Sequence, residues 1–360
     1  MAARGRLVQI VLRSIRSLTP SPVEARGRLV QIVLGIAVSA ALLVYLFRGV
    51  DLHDVAAHLA KTYWGYLAAS IALNLLSLWL RAWRWYYLFP PSAQPSHLYR
   101  ALMIGYMANN LLPLRAGEIV RVYVAARRGQ RFWTTLATVV VERALDGLAL
   151  GLIVAALFLV IQIPPSLRWP AGVFLCADLA AMILLAVLAF APAWCAAVIR
   201  ALFHRWPWVE RRLMDVLGTM SEGLRGVRTG HHVLPIVFSS MGIWLLFVGS
   251  VWTALHAAHL DLPIAASWTV LAFLGLGVSL PSSPGFFGVV QAACVLALAL
   301  FAVARTEALS FSILLHASQY LPVTFVGLAF LLVEHVSLSE ATRAAGAPPA
   351  APLDADPTAR

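Results

Sequence analysis

The sequence predicts an all-α fold: a polytopic bundle of about six to eight transmembrane helices with two broken or re-entrant segments. Three observations predict it. Of 360 residues, 61% are hydrophobic and only 12% charged, too few charges for the surface of a soluble domain of this size. Apolar runs of about 20 residues, enough to cross a ~30 Å hydrocarbon layer, recur along the chain. Two further apolar regions, 98–128 and 264–303, are interrupted by Pro, Gly and polar residues that do not continue a helix.

Residues 1–28 read as a basic cytoplasmic extension without a fold of its own. Positions 3–12 and 25–34 both spell ARGRLVQIVL, the mark of a tandem duplication or of a start codon placed too far upstream. The first span, 29–47, is too long for a typical signal-peptide core and ends without a small-residue cleavage site, so it is expected to stay uncleaved. Further spans are expected at 63–80, 132–163, 169–194, 233–257 and 308–333, completing a transmembrane domain over 29–335. Between 195 and 232 the chain is polar. Arg200, Arg205, Arg211, Arg212, Arg225 and Arg228 alternate there with Leu and Val at helical spacing, which suits an amphipathic helix on the inner leaflet. Residues 336–360, rich in Ala and Pro, read as a disordered tail. No stretch outside the membrane is long enough for a separate catalytic domain of ordinary size.

The net charge of +11 comes from 26 Arg and one Lys, Lys61. These sit mostly in short loops between apolar runs, which fits anionic lipid headgroups and the positive-inside bias and argues against nucleic acid as a partner. Six Arg precede the first span and place the N-terminus in the cytoplasm of a multi-pass protein of the cell membrane. Arg81, Arg84 and Arg100 then lie inside. The group Arg115, Arg121, Arg127, Arg128 and Arg131 stays inside only if 98–128 dips into the membrane and returns. The loop around Asp261, without Arg or Lys, falls outside. Cys176, Cys195 and Cys294 have no paired spacing and read as small apolar packing residues. His256, His259 and His316 are isolated, and no metal or cofactor is expected.

The two breaks match. Pro113-x3-Gly117 aligns with Pro281-x3-Gly285, the second within Pro281-Ser282-Ser283-Pro284-Gly285-Phe286-Phe287-Gly288. One is entered from inside and one from outside, a pattern compatible with an inverted repeat and with gating segments around a site near the midplane.

Chemistry concentrates in two charged sets. Around the first break stand Asn109, Asn110, Arg115, Glu118 and Arg121, where Arg121 and Arg115 can each pair with Glu118. Inside the apolar run from Phe132 stand Glu142, Arg143 and Asp146. Each ionisable group at the bilayer centre costs roughly 2.5–3.5 kcal/mol on insertion scales. Arg143 and Asp146 can pair, but Glu142 and Asp146 repel, so this set needs a cation from elsewhere. Mutual neutralisation of the two sets is expected, and a joint charge swap of Glu118 and Arg143 should then restore folding. The structural alternative is a buried network with no ligand. Arg81 and Arg84, among Trp79, Trp83, Trp85, Tyr86 and Tyr87, read either as snorkelling residues of an inner aromatic belt or as a phosphate clamp. No nucleophile–base set, P-loop or dinucleotide fingerprint occurs.

With these residues in place, the chain resembles the lysylphosphatidylglycerol synthase transmembrane-region family, whose members are also described as flippase-like. The matching pieces are Arg81-x2-Arg84-Trp85, Gly105-x3-Asn109-x3-Pro113-x-Arg115-x-Gly117-Glu118-x2-Arg121, Glu142-Arg143-x2-Asp146 and Pro281-x2-Pro284-Gly285-x2-Gly288, in the family's order. The resemblance implies a module that moves a phospholipid, or an aminoacylated or otherwise modified lipid, between leaflets. It also implies membrane lipids as partners and allows a separate lipid-modifying enzyme as another. Many relatives carry Glu three residues after the last motif glycine, where this chain has Gln291, which bears on any proton-linked role there. Two other readings stand beside transport: an intramembrane enzyme with Glu142 or Asp146 as general base, and a non-transporting partner of a lipid-synthesising enzyme.

Overall fold

The computed structural model describes residues 22–91, 94–112, 116–127, 129–160, 165–223, 229–278 and 283–334, and every regular element among them is helical. Helix α1 (Pro22–Phe47) begins before Leu29, where the first span was expected. The chain bends by 87° between Val33–Phe47 and α2 (Leu52–Ala60), which Asp51 caps by accepting the His53 N–H at 2.8 Å. Helices α3 (Trp64–Leu88), α10 (Gly230–Ala257) and α13 (Arg305–Val333) are each long and apolar enough to cross a membrane, as is the bent pair taken as one span.

Two halves share one element order. The first runs α3, a hairpin of α4 (Leu98–Leu111) and α5 (Gly117–Ala126), then α6 (Phe132–Val160). After α7 (Pro165–Phe190), α8 (Pro192–Phe203) and α9 (Pro207–Gly223), the second runs α10, a hairpin of α11 (Ile264–Val278) and α12 (Val289–Ala299), then α13. At 1.5 Å per residue the hairpin arms are only about 15–23 Å long, too short to cross a ~30 Å core. Each hairpin folds its two short arms back on one another, the shape the sequence predicts for 98–128 and 264–303.

The leading helices α3 and α10 pack antiparallel. Their contacts step from the Tyr63 N–H on the Ala257 carbonyl (3.0 Å), through reciprocal Ser70 and Ser250 hydroxyl-to-carbonyl bonds (2.8 and 2.9 Å), to Arg84 on Ser240 (3.0 Å). Gly249 and Gly242 face Leu73 and Leu80 along the seam, where small residues let the helices approach. Corresponding helices of the two halves thus run in opposite directions, the arrangement that an inverted repeat would give.

The two ends of the bundle are held by different contacts. At one end His259 bonds the Lys61 carbonyl (2.6 Å) and His256 lies 3.6 Å from Asp261. At the other, Arg100 pairs with Glu334 (3.1 Å) and Gln94 reaches His232 (3.3 Å). The Asp261 loop thus lies at the opposite end from Arg100 and His232.

Two expectations are corrected. The polar stretch after residue 195 forms two helices, α8 and α9, because Trp206-Pro207 halts the first and starts the second; Arg225 and Arg228 lie outside the described residues. Cys195 and Cys294 are buried as expected, but Cys176 is exposed.

Candidate functional site, a buried charge cluster beside the first helix break

Helix α3 supplies the cations that α6 requires. Its buried face repeats at helical spacing through Ser70, Asn74, Ser77, Leu78, Arg81, Arg84, Trp85 and Leu88, while Trp79 and Trp83 point outward. The outward face is the aromatic belt, and with Tyr86 and Tyr99 it walls a shallow cleft of about 330 Å³. Arg81 and Arg84 are not part of that belt. They turn into the bundle, which corrects the snorkelling alternative; Arg81 lies about 10 Å and Arg84 about 6 Å inside the Leu88 end of the helix.

Asp146 accepts Arg84 Nη2 at 2.7 Å through Oδ1 and Arg81 Nη1 through Oδ2. Glu142, with no exposed surface, accepts Arg81 Nη1 at 3.2 Å and Arg121 Nη1 at 2.9 Å. The repulsion expected between Glu142 and Asp146 is therefore relieved by Arg81 bridging them. Arg121 also lies under Trp85, its guanidinium carbon 5.1 Å from the ring centre, and Trp85 donates to Thr138 at 2.9 Å.

The first break brings Arg121 and Glu118 to this point. Asn109 Oδ1 accepts the Gly117 N–H at 2.9 Å, tying the end of α4 to the start of α5. The hairpin closes only because Gly105 and Gly117 lack side chains: a Cβ on Gly117 would stand 1.9 Å from the Gly105 carbonyl oxygen. Glu118 touches Arg121 at 2.6 Å and reaches Arg143 Nη2 at 3.0 Å. Arg143 is farther from Glu142 (3.6 Å) and Asp146 (3.8 Å), and lies 3.4 Å from the Tyr106 hydroxyl.

Exposure divides the cluster. The side chains of Arg81, Arg84, Arg121 and Glu142 are at most 5% exposed, whereas Arg143 is 43% and Glu118 25% exposed. Four guanidinium groups thus face three carboxylates among the described residues, and the exposed member of the surplus sign is Arg143. The Nε atoms of Arg81, Arg84 and Arg121 are buried without a hydrogen-bond partner there. Such a set is costly to desolvate, and an apolar core of equal volume would fold as well, so stability alone does not explain it.

The two breaks meet. Asn110 Nδ2 donates to Thr324 Oγ1 (2.8 Å), the Tyr320 hydroxyl donates to the Asn110 carbonyl (3.4 Å), and a Cβ on Gly285 would stand 3.2 Å from that carbonyl. On the other side, Ser283 N–H donates to Ser39 Oγ of α1 at 3.1 Å, and Gly288 abuts the Ser39 backbone. From Pro284 the chain makes a single 3₁₀ turn with positive φ at Gly285 (70°), Phe286 (59°) and Gly288 (81°). At Phe286 that conformation costs roughly 1–2 kcal/mol. Gln291 accepts the Gly288 N–H at 2.7 Å, and His316 bridges Gln291 (3.0 Å) and the Gly285 carbonyl (2.9 Å). Gln291 thus bonds within the second break and not to the charge cluster among the described residues. Pro113, Arg115, Pro281 and Ser282 lie outside the described residues.

A family model for the lysylphosphatidylglycerol synthase transmembrane region matches residues 32–327. The chain belongs to that family. The match spans both hairpins and every charged residue of the cluster, so in this member of the family the network is part of the shared transmembrane domain rather than of an appended segment. No curated protein and no solved structure matched the chain. Three participants were missed from sequence: Tyr106, Ser240 and His316. Tyr106 stands one turn before Asn109 and Asn110 and was legible by that spacing; Ser240 and His316 carried no local signal.

Proposed function

We propose that this multi-pass membrane protein is a flippase-like transporter, not an enzyme, which moves a phospholipid or a modified (aminoacylated or glycosylated) lipid between leaflets of the cell membrane. The observation that carries this reading is the partly exposed Arg143–Glu118 pair on top of a buried, cross-linked set of charges, beside two short hairpins that touch. A headgroup phosphate entering there takes Arg143 from Glu118 and binds its planar fork. The released Glu118 balances the charge or accepts a cationic amine on a modified headgroup. Arg81, Arg84, Arg121, Glu142 and Asp146, already paired, hold the frame, and the breaks at 112–117 and 278–288 act as the gates. Irregular backbone at membrane depth belongs where protein or a hydrated cavity surrounds it. The N-terminus is assigned to the cytoplasm by the positive-inside bias, the partners are membrane lipids, and a separate lipid-modifying enzyme would supply a modified substrate.

The test is leaflet exchange of fluorescent phospholipid in liposomes holding the purified protein. Because Arg143 is half exposed, Arg143→Ala should cost no more than about 1 kcal/mol of stability. Loss of a charged hydrogen bond to phosphate, worth about 1.5–3 kcal/mol, should slow exchange by roughly 10-fold or more. Unchanged exchange in Arg143→Ala, or a chemically altered lipid without exchange, would overturn the proposal.

A further inference from the structure

The second break carries a titratable group that the lipid site does not use. His316 Nε2 lies 2.9 Å from the Gly285 carbonyl, which can only accept, so Nε2 carries a hydrogen. Gln291 Oε1 accepts the buried Gly288 N–H at 2.7 Å, so its amide nitrogen is the end that faces His316 Nδ1 at 3.0 Å. That nitrogen only donates. The three contacts are satisfied together by one arrangement, the neutral ring with Nδ1 bare.

We infer that His316 is a proton-binding site whose occupation unlatches the second helix break. A proton on Nδ1 turns an acceptor into a donor against the Gln291 amide. Gln291 has one oxygen, and turning it toward the imidazolium takes it from the Gly288 N–H, leaving a buried donor unpaired. The bond is lost in the segment where Gly285, Phe286 and Gly288 all hold positive φ, and where the backbone touches Asn110 of the first hairpin and Ser39 of α1. Loosening there parts the two breaks.

Among the described residues no charged side chain bonds this ring, and each packed element presents a neutral group to it. The 3₁₀ turn presents the Gly285 carbonyl and the Phe287 ring at 4.9 Å, α12 presents Gln291, and α13 itself presents Tyr320 at 5.6 Å. Helix α4 presents Asn110, bonded to Tyr320 and Thr324, and α1 presents Ser39. Helix α3 meets α13 through Leu67 near Leu314, beside Ala257 of α10. Helix α2 packs nearer the start of α13, where His58 and Glu307 share a cleft with Leu314. Among the described residues no carboxylate or guanidinium bonds His316.

This inference goes beyond lipid transport and does not need it. Nitroxide labels at Leu111→Cys and Leu296→Cys, exposed positions at the end of α4 and on α12, report the separation of the two hairpins in liposomes once the native cysteines are replaced. Going from about pH 8 to about pH 5, the distance distribution should gain a longer component. His316→Gln, which keeps a hydrogen-bonding side chain but cannot titrate in this range, should lose that component. Nitrogen-15 spectra of histidine-labelled protein should show one bare ring nitrogen on His316 at the higher pH and none at the lower. An unchanged distribution in the wild-type chain, the same change in His316→Gln, or a His316 ring still singly protonated at the lower pH would each overturn the inference. If His316→Gln does not fold, the wild-type distances and spectra decide by themselves. Neither readout involves lipid movement, so its failure is distinct from failure of the transport reading.

Discussion

Glu142→Ala is expected to be among the most damaging single substitutions in the chain, destabilising the folded protein by about 3–5 kcal/mol. Glu142 has no exposed surface and accepts from Arg81 and Arg121, with Arg143 nearby. Its removal leaves buried guanidinium groups of α3 and α5 to share Asp146 and Glu118, in a place where water cannot replace the lost acceptor. The check is the midpoint of heat-induced loss of the monodisperse peak in detergent, compared across variants. Glu142→Gln, which keeps the shape and one acceptor but not the charge, should fall between wild type and Glu142→Ala. A wild-type midpoint for Glu142→Ala would mean that the cluster is not a fixed part of the fold.

Gly117→Ala should rival it for a different reason. The added methyl group would stand 1.9 Å from the Gly105 carbonyl oxygen and 2.6 Å from Asn109 Oδ1. Backbone cannot yield as a flexible side chain does, so α4 and α5 must separate and the Asn109–Gly117 bond is lost. A cost of about 3 kcal/mol is expected, at the upper end for overpacking. Gly65→Ala is the control: a Cβ there meets nothing within 4 Å, and alanine is the better helix former, so stability should hold or rise slightly. Equal behaviour of the two variants in the same heating assay would contradict the close hairpin.

What could be read from sequence was whatever sits within a few residues of its partner. Glu118 and Arg121 lie three apart beside one break, and their pairing followed from spacing; the bond from Gly117 to Asn109 did not. Glu142 and Asp146, four apart in an apolar run, announced that a cation had to come from elsewhere. The source was hidden because Arg81 and Arg84 lie more than 60 residues away and sit among aromatics that suggest a membrane interface. Their helical phase, shared with Ser77, Leu78 and Trp85 rather than with Trp79 and Trp83, was the available signal. The inverted repeat showed in sequence only through its breaks. The antiparallel α3–α10 pair that agrees with it consists of two apolar helices, whose direction relative to one another no local pattern records. His316 was legible only as an isolated histidine, since its partners stand 25 and 31 residues away.

The structure also changes which experiment tests the Glu118–Arg143 pair. The two do meet, but a joint charge swap would set a carboxylate at 143 against Glu142 and Asp146 and a cation at 118 against Arg121. Failure of that double variant would therefore say nothing about the pair.

The most direct measurement is where a lipid headgroup touches the protein. Liposomes containing the protein and a phospholipid with a photoactivatable group on its headgroup would be irradiated, digested and mapped by mass spectrometry. Adducts at Tyr106, Glu118 or Arg143, diminished in Arg143→Ala, are the expected result. Adducts confined to Trp79, Trp83 and the rest of the outward face of α3, unchanged in that variant, would contradict a headgroup site at the charge cluster.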